Sequence, residues 1–318
     1  MTIVLPTDYH AQKDLENNGV ICITKQQAVQ SDIRALRIGI LNIMPEAKTY
    51  EYSLLHPLGR SVLQIIPIWI KLKSHLYQST VKNHLDRLYV HFEEAQAESP
   101  LDGLIVTGAP VEHLQFEDVR YWQEIRDILE ICRTAVPSTL GICWGAMALA
   151  YLLGFEKINY SKKYFGVFET VNLKPHHPIT GGLDDVFWLP QSRHAGYSNE
   201  ILEKAQMEQK IILLAQTLGG DYSIFESWDH RFLMNLGHFE YDCGRFLEEY
   251  ERDKNRADVS PPQNFDPSLP INRWRGQRNE FFYQWLRFCH EEAHGQRAFF
   301  TNYKNASLPM KGNRGSGT

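Results

Sequence analysis

The sequence predicts an α/β fold in which helices cover a parallel sheet. Apolar runs of strand length alternate with stretches of helical periodicity through the first half of the chain, and one apolar run meets a helix at a turn flanked by Gly141 and Gly145. Strands and helices in this alternation are typical of a parallel, helix-covered sheet. The chain has 318 residues, 43% of them hydrophobic, and we assign 1–302 to a single domain.

The first half of the chain predicts three strands and three helices before that turn. Residues 36–44 form an apolar run that Pro45 closes, and residues 48–61 have helical periodicity, although Pro57 should end this helix near His56. The next predicted elements are a strand over 62–70, a helix over 80–97, a strand over 101–106 and a helix over 115–133. The residues before 36 form a polar arm.

From residue 164 onwards the pattern changes to short strands separated by turns. The predicted strands are 164–173, 211–216, 222–226 and 232–236, and helices return over 245–256 and 278–294. The small polar residues of 303–318 predict a disordered tail.

Composition argues against several classes of partner and cofactor. A net charge of -5 and the lack of Lys/Arg runs argue against nucleic acid or an anionic membrane. No apolar stretch reaches the roughly 18 to 20 residues of a membrane span, and no basic region with an apolar core opens the chain. We expect a cytoplasmic protein. Five scattered cysteines without a C-x-x-C pair or a Cys/His cluster argue against disulfides and a metal.

The turn around Cys143 carries the most specific chemical signal. Glycines two residues to either side allow a sharp strand-to-helix turn that projects the side chain from the carboxyl end of the sheet. The positive end of the following helix favours the thiolate form of a cysteine. An ordinary buried cysteine is the alternative, but the flanking glycines favour a nucleophile. The backbone N–H of Trp144, directly after it, is a candidate oxyanion donor.

A candidate proton carrier follows the apolar run over 233–236. There the chain reads Gly-His-x-Glu, with the histidine at 238 and the glutamate at 240. His238 can act as general base and acid toward Cys143, while Glu240 can hold the imidazole tautomer and stabilise its cation. Residues two apart in a strand share a face, so we expect both side chains to reach one pocket.

Several ordered motifs between residues 15 and 292 resemble one known family. They are Gln27 to Pro45, Thr107-Gly108-Ala109-Pro110, Tyr121-Trp122, Ser138 to Ala146, Gly166-Val167-Phe168-Glu169, Ser192-Arg193, and Gly237-His238 with Glu240-Tyr241-Asp242. In these motifs the chain resembles the homoserine O-acetyltransferase and O-succinyltransferase family. The resemblance implies a class I glutamine-amidotransferase-like (flavodoxin-like) fold. It also implies transfer of an acyl group from acyl-CoA to the hydroxyl of L-homoserine through an acyl-cysteine, and hence a role in methionine biosynthesis.

The resemblance also implies roles for individual residues. It makes Cys143 the nucleophile and His238 and Glu240 its partners. Lys163 and Ser192 would lie in the substrate site. Arg252 would pair with the carboxylate of the amino acid, a task that suits a guanidinium group; without the resemblance, a solvated helix face is the favoured interpretation. Acyl-CoA is then a co-substrate, no bound cofactor is implied, and we expect a homodimer.

Glu112 bears on the choice of acyl donor. In the family, a glutamate after Thr-Gly-Ala-Pro-x resembles the users of acetyl-CoA, whereas a glycine accompanies succinyl-CoA. A carboxylate in the acyl pocket would fill space and repel the terminal carboxylate of a succinyl group. We therefore expect acetyl-CoA as the donor.

The chain departs from the family pattern near the acceptor site, and this leaves alternatives open. Where the family has a lysine-containing Met-Pro loop followed by Thr-Glu, this chain has Glu46-Ala47-Lys48-Thr49-Tyr50-Glu51. Gln191 replaces a histidine of the family pattern, and Phe239 replaces a proline. Serine O-acetylation and O-succinylation on the same scaffold are alternatives. A class I glutamine amidotransferase-like cysteine hydrolase would share the elbow and the His-x-Glu pair, and a catalytically silent binding protein would share only the fold.

Overall fold

A twelve-stranded sheet runs through the part of the chain that the computed structural model describes, residues 2–31, 33–77 and 81–295. Its strands are β1 (Thr2–Val4), β2 (Ile21–Ile23), β3 (Leu36–Leu41), β4 (Gln64–Ile70), β5 (Tyr89–Val90), β6 (Gly103–Val106), β7 (Thr139–Ile142), β8 (Ile158–Asn172), β9 (Val186–Gly196), β10 (Ile211–Thr217), β11 (Tyr222–Ser227) and β12 (Phe232–Asn235).

The sheet has a parallel and an antiparallel part. From one edge the order is β2-β1-β4-β3-β6-β7-β12-β11-β10-β8-β9, with β5 beside β4. Neighbours from β2 to β12 pair in parallel, and the last four strands are antiparallel additions. The carboxyl ends of β3, β6, β7 and β12 therefore meet at one edge, which is where open α/β sheets bind ligands.

Ten α-helices in the described residues connect and cover these strands. They are α1 (Gln12–Asn17), α2 (Lys25–Gln30), α3 (Ala47–Leu58), α4 (Lys82–Leu88), α5 (Phe92–Glu98), α6 (Trp122–Ala135), α7 (Trp144–Leu152), α8 (Asn199–Met207), α9 (Cys243–Asp253) and α10 (Arg275–Ala293). Residues 144–150 of α7 are all buried. An apolar character on all sides is what a helix in this position requires. The predicted helix-covered, mainly parallel sheet is confirmed.

The predicted helix over 80–97 is wrong as a single element. The structure has two short helices, α4 and α5, separated by the strand β5, which pairs with β4 through Tyr89 and Trp69. The aromatic and β-branched residues Tyr89 and Val90 favour a strand. Pairing with the sheet therefore outweighs the helical periodicity of the flanking residues.

Pro57 does not end its helix where the sequence predicts. The helix α3 continues past His56 to Leu58, with the proline in its last turn. Only Leu58 follows the proline in the helix, so the missing N–H of Pro57 and the clash of its ring with the carbonyl of Ser53 disturb the last turn alone.

The N-terminal arm and the segment after residue 173 hold structure that the sequence analysis missed. The arm adds β1 and β2 to the edge of the sheet and buries Ile3, Leu15 and Val20. The strand β9 and the helix α8 were not predicted either. In β9, Pro190 and the polar residues 191–193 interrupt the apolar alternation that signals a strand, yet all four are buried.

Two expectations concern the extent of the chain. The predicted tail, 303–318, lies outside the described residues, and the single-domain assignment of 1–302 stays a prediction. Among the helices that the structure describes, none combines the length and the apolar character needed to cross a membrane.

Candidate active site

Cys143 lies in a tight turn between β7 and α7, as the glycine pattern predicts. Its backbone has φ 51° and ψ −113°, a conformation that a non-glycine residue rarely adopts. A Cβ atom on Gly145 would lie 2.2 Å from the carbonyl oxygen of Val106, and one on Gly141 would lie 2.6 Å from the backbone of Ala146. Only glycine fits at these two positions, and so the turn can pack against the neighbouring strand.

His238 and Glu240 lie beside Cys143, in a turn rather than in a strand. The strand β12 ends at Asn235, whose carbonyl accepts a hydrogen bond from the backbone N–H of Cys143 at 2.8 Å. The predicted strand alternation is therefore wrong, but the pair is formed: His238 Nδ1 donates to Glu240 Oε1 at 2.7 Å. The imidazole also stacks on the ring of Tyr241, with centroids 4.3 Å apart.

The surroundings of His238 favour its protonated form. Burial alone would lower the pKa of His238, but the charge of Glu240 and the contact with Cys143 outweigh burial and raise it well above its usual value. Both partners are almost fully buried, with 6% of Cys143 and 1% of Glu240 exposed. The imidazole can therefore hold a proton next to the sulfur atom.

Tyr50 is a further member of this group that the sequence analysis missed. Its hydroxyl donates to Glu240 Oε1 at 2.7 Å, so one carboxylate oxygen accepts from both Tyr50 and His238. The other oxygen, Oε2, is buried and has no hydrogen-bond partner within the described part of the chain. The two donors fix the orientation of the carboxylate, and Glu240 in turn fixes that of the imidazole.

A pocket of about 300 Å³ opens above these residues. Six of the candidate site residues that the sequence predicts line this pocket: Cys143, His238, Lys163, Ser192, Arg252 and Glu112. Glu240 lies behind the pocket wall, where it contacts the imidazole.

The backbone around Cys143 can supply hydrogen-bond donors. Trp144 is the first residue of α7, and the first N–H groups of a helix have no acceptor within the helix itself. The chain also passes close by at Gly108, where a Cβ atom would lie 3.6 Å from that of Cys143. The assignment of the Trp144 N–H as an oxyanion donor stays a prediction.

A buried ion cluster forms one wall of the pocket. Lys163 Nζ donates to Glu249 Oε1 at 2.8 Å and to Asp253 Oδ2 at 2.7 Å, and the Ser192 hydroxyl donates to Glu249 Oε1 at 2.5 Å. Burial would raise the pKa of Glu249, but Lys163, together with the more distant charge of His238, lowers it to about 2. Glu249 and Asp253 were missed by the sequence analysis because they read as ordinary polar residues of an amphipathic helix.

Arg252 extends this cluster toward solvent. Its Nε and Nη2 donate to the two carboxylate oxygens of Asp253, both at 2.8 Å, and Nη2 also lies 3.4 Å from Glu249 Oε1. Its side chain is 55% exposed and lines the pocket. The guanidinium group is thus held in place by acidic neighbours while part of it faces the space where a substrate would lie.

At another part of the pocket wall, Glu112 is held by a histidine. His194 Nδ1 donates to Glu112 Oε1 at 3.0 Å, and His194 Nε2 lies 3.0 Å from Asp258 Oδ2. Burial would raise the pKa of Glu112, but the hydrogen bond from His194, the hydrogen bond from the backbone N–H of Glu112 itself and the charges of His194 and Lys163 together outweigh burial and lower the pKa. His194 and Asp258 carry no local sequence signal for this contact, because they lie 82 and 146 residues beyond Glu112 in the chain.

Two groups of potential metal ligands come together that sequence spacing does not reveal. They are His10 with Glu51 and His84, and His177 with Glu226 and His230; in each group the ligand atoms lie within 4.8 Å of one another. Both carboxylates already accept hydrogen bonds, from Tyr89 in the first group and from His177 in the second. His177 Nδ1 accepts from the backbone N–H of Ile179 at 3.2 Å, so Nε2 carries its proton and is unavailable to a metal. The expected absence of a metal stays a prediction.

The arrangement in the pocket can perform acyl transfer. A cysteine next to an imidazole that a carboxylate orients is the arrangement used for covalent catalysis at carbonyl groups. The adjacent guanidinium group of Arg252, which is 55% exposed, offers a cationic group for an anionic part of a substrate.

Comparison with curated proteins identifies relatives over most of the chain. A homoserine O-acetyltransferase of Bacillus cytotoxicus is 38% identical over 295 residues, which cover 91% of this chain and 97% of that protein. The homoserine O-acetyltransferase of Bacillus subtilis is 37% identical over 294 residues, covering 91% and 96%. One from Clostridium botulinum is 38% identical over 296 residues, covering 91% and 95%.

Solved structures share the fold of this chain, and a glutamine amidotransferase is among them. A putative GMP synthase protein of Thermoplasma acidophilum aligns with a TM-score of 0.53 at 14% identity, covering 83% of this chain and 98% of that one. A glutamine amidotransferase of Thermotoga maritima gives a TM-score of 0.53 at 12% identity, covering 80% and 99%. These similarities confirm the predicted fold. The family model for homoserine O-succinyltransferase matches residues 2–295, and this chain therefore belongs to the homoserine O-succinyltransferase family.

Proposed function

We propose that this protein transfers an acetyl group from acetyl-CoA to the side-chain hydroxyl of L-homoserine through an acetylated Cys143. The observation that supports this most is the pairing of Cys143 with the buried His238–Glu240 pair at the base of the pocket. Membership of the family supplies homoserine as the acceptor, and the relatives named above are homoserine O-acetyltransferases.

In the proposed first half-reaction, the Cys143 sulfur attacks the thioester carbon of acetyl-CoA. His238 holds the proton taken from the thiol and gives it to the departing CoA sulfur, so that free CoA leaves as a neutral thiol. Negative charge develops on the carbonyl oxygen, where the N–H of Trp144 would donate. One such donor is typically worth about 3 to 4 kcal/mol.

In the second half-reaction the acceptor enters the same pocket. Neutral His238 removes the proton of the homoserine hydroxyl as its oxygen attacks the acetyl carbon, and the Cys143 sulfur is released. The proposed partner of the acceptor carboxylate is Arg252, and Lys163 and Ser192 line the pocket beside it. A ping-pong sequence follows, because the donor leaves before the acceptor reacts.

Intact-protein mass spectrometry tests the proposal. Acetyl-CoA alone should add one acetyl group to the protein, on Cys143, and L-homoserine should then remove it. If L-serine removes the group faster than L-homoserine does, the acceptor assignment is wrong. If water alone removes it as fast as either amino acid, the protein is a hydrolase.

Arg252→Ala is expected to slow the second half-reaction while leaving the acetylation of Cys143 intact. Of the two substrates, the guanidinium group of Arg252 is proposed to bind only the acceptor, through its carboxylate. Truncating one partner of such a pair costs roughly 2 to 5 kcal/mol, and the lower figure suits a side chain that is half exposed. We therefore expect about a 30-fold loss in acceptor kcat/KM, measured in single-turnover experiments on the acetylated enzyme.

Arg126→Ala is the matched control for this prediction. Arg126 forms an exposed ion pair with Glu130 on α6, at 2.9 Å, and does not line the pocket. It should leave both half-reactions unchanged. A failure of acetylation in the Arg252 variant would instead assign this residue to the CoA site or to the fold.

Glu112→Gly is expected to shift the donor preference from acetyl-CoA toward succinyl-CoA. Juxtaposed like charges cost several kcal/mol, so removing the carboxylate should raise the ratio of succinyl-CoA to acetyl-CoA kcat/KM by about 10-fold or more. Glu112→Gln, which removes the charge and keeps the size, should raise the ratio less. An unchanged ratio in both variants would show that another residue sets the donor.

The chemistry uses acyl-CoA as a co-substrate and requires no bound cofactor or metal. We further propose that the enzyme works in the cytoplasm, where acyl-CoA is available, and that it is a homodimer.

A further inference from the structure

Tyr50 and His238 donate hydrogen bonds to the same oxygen atom of Glu240. The Tyr50 hydroxyl and His238 Nδ1 both lie 2.7 Å from Glu240 Oε1. All three side chains are buried, and Oε2 of the carboxylate has no hydrogen-bond partner among the residues that the structure describes. Because both donors draw on one buried carboxylate, the strength of one hydrogen bond depends on the presence of the other.

The fold holds Tyr50 in place independently of any ligand. The next residue of α3, Glu51, accepts hydrogen bonds from His84 Nε2 at 2.7 Å, from the Tyr89 hydroxyl at 2.8 Å, and from the Tyr9 hydroxyl. These contacts tie the start of α3 to α4, to β5 and to the N-terminal arm. Tyr50 itself does not line the pocket. Its hydroxyl is therefore set against Glu240 by the protein, and its influence on a substrate must pass through that carboxylate.

The Tyr50 hydroxyl acts on Glu240 as a neutral donor. Burial, together with the charge of Glu240, raises the pKa of this hydroxyl well above its usual value, so it keeps its proton. A donor stabilises an ionised carboxylate. That stabilisation matters most when His238 is neutral, because an imidazolium would already compensate the charge of Glu240. The hydrogen bond from Tyr50 therefore favours the loss of a proton from His238.

Other ionisable groups near His238 come from several elements. They are Cys143, Tyr241, Glu249 with its partners Lys163 and Arg252, and Arg245 beside Tyr241. Once Cys143 is acetylated, its sulfur carries no charge. Glu240 is then the carboxylate in direct contact with the imidazole, and Tyr50 acts on that carboxylate.

We propose that Tyr50 is a positioning residue that lowers the proton affinity of His238 through Glu240 and so favours the neutral imidazole in the acetylated enzyme. The inference rests on the proposed function, in which neutral His238 removes the proton of the acceptor hydroxyl. Without Tyr50, Glu240 would hold the imidazolium more firmly and oppose that step. The first half-reaction uses the imidazolium as an acid, and loss of Tyr50 does not impair this form.

The pH dependence of deacetylation tests the proposal. Tyr50→Phe is acetylated with acetyl-CoA, freed of excess donor and mixed with L-homoserine at a series of pH values, and intact mass gives the rate at each pH. Removing one hydrogen bond to a charged group should raise the midpoint of the acid limb by about one pH unit. The sign is upward because a stronger hold on the proton requires a higher pH for neutral His238. The limiting rate at high pH, and the acetylation of Cys143, should stay close to those of the unmodified protein.

Tyr89→Phe is the matched control, because Tyr89 is also a buried tyrosine whose hydroxyl donates to a glutamate, Glu51. It should leave the midpoint in place. In a Glu240→Gln background, Tyr50→Phe should not move the midpoint, because the proposed effect passes through the charge of Glu240. Should Tyr50→Phe not fold, as judged by circular dichroism, 3-fluorotyrosine at position 50 takes its place. Its more acidic hydroxyl donates a stronger hydrogen bond and should lower the midpoint.

Three results would overturn the inference while leaving the proposed function intact. They are an unchanged or lowered midpoint in Tyr50→Phe, an equal rise in Tyr89→Phe, and an equal rise in the Glu240→Gln background. In each of them L-homoserine still removes the acetyl group from Cys143. If acetyl-CoA does not acetylate Cys143 in the unmodified protein, the proposed function and this inference both fail.

Discussion

Replacing Cys143 by alanine is expected to leave a folded protein that transfers no acyl group. The covalent intermediate cannot form without the sulfur atom, so turnover with acetyl-CoA and L-homoserine should fall by about 10⁴-fold or more. The fold should survive, because the substitution removes a single heavy atom from the core and keeps the glycines that permit the turn.

The measurement combines steady-state CoA release with intact mass after exposure to acetyl-CoA. Cys22→Ala is the matched control, because Cys22 is a partly exposed cysteine on the edge strand β2, and it should retain both activities. Turnover of more than a few per cent in the Cys143 variant would mean that the nucleophile is another group.

His238→Ala is expected to have the next largest effect. General acid–base catalysis contributes about 10² to 10⁴-fold, and this imidazole is proposed to act in both half-reactions, so we expect a loss near the upper end. In the variant, acetylation of Cys143 should also become faster as the pH rises, since the thiol must then ionise without a neighbouring base.

The rate of acetylation as a function of pH, measured by mass spectrometry, checks this prediction. His290→Ala is the control, because His290 lies in the last turn of α10 and does not line the pocket. This variant should behave like the unmodified protein. Glu240→Ala should retain more activity than His238→Ala, because orienting the base contributes less than being the base. Equal and mild losses in these two variants would point to a different base.

The grouping of His238 and Glu240 beside Cys143 could be predicted largely because its signals are local in sequence. The strand, the flanking glycines and the helix around Cys143 are contiguous, and His238 lies two residues from Glu240. The backbone conformation that brings this pair together could not be predicted. The strand ends at Asn235, so His238 and Glu240 meet in a turn and not on one face of a strand.

Partners that come from distant segments could not be predicted. Tyr50 contacts Glu240 across 190 residues of chain, and His194 contacts Glu112 across 82. Neither tyrosine nor histidine has a local pattern that marks such a contact. The strand β9 could not be predicted for a related reason. Its Arg193 is charged, which breaks the apolar alternation typical of a strand, yet the side chain is buried because its guanidinium donates hydrogen bonds to Asp221 at 2.8 Å and to the carbonyl of Ala195 at 2.7 Å.

The strand β9 has a consequence for how the pocket can change. Ser192, bonded to Glu249 on the proposed acceptor side, and His194, bonded to Glu112 on the proposed donor side, are two residues apart on this one strand. They share a face and are separated by about 7 Å. Inserting or deleting one residue of β9 ahead of Ser192 would shift the register of the residues after it by one and turn both side chains away from the pocket together. The proposed contacts to the two substrates can therefore change one at a time by substitution at either position, whereas such a change of length would remove both at once.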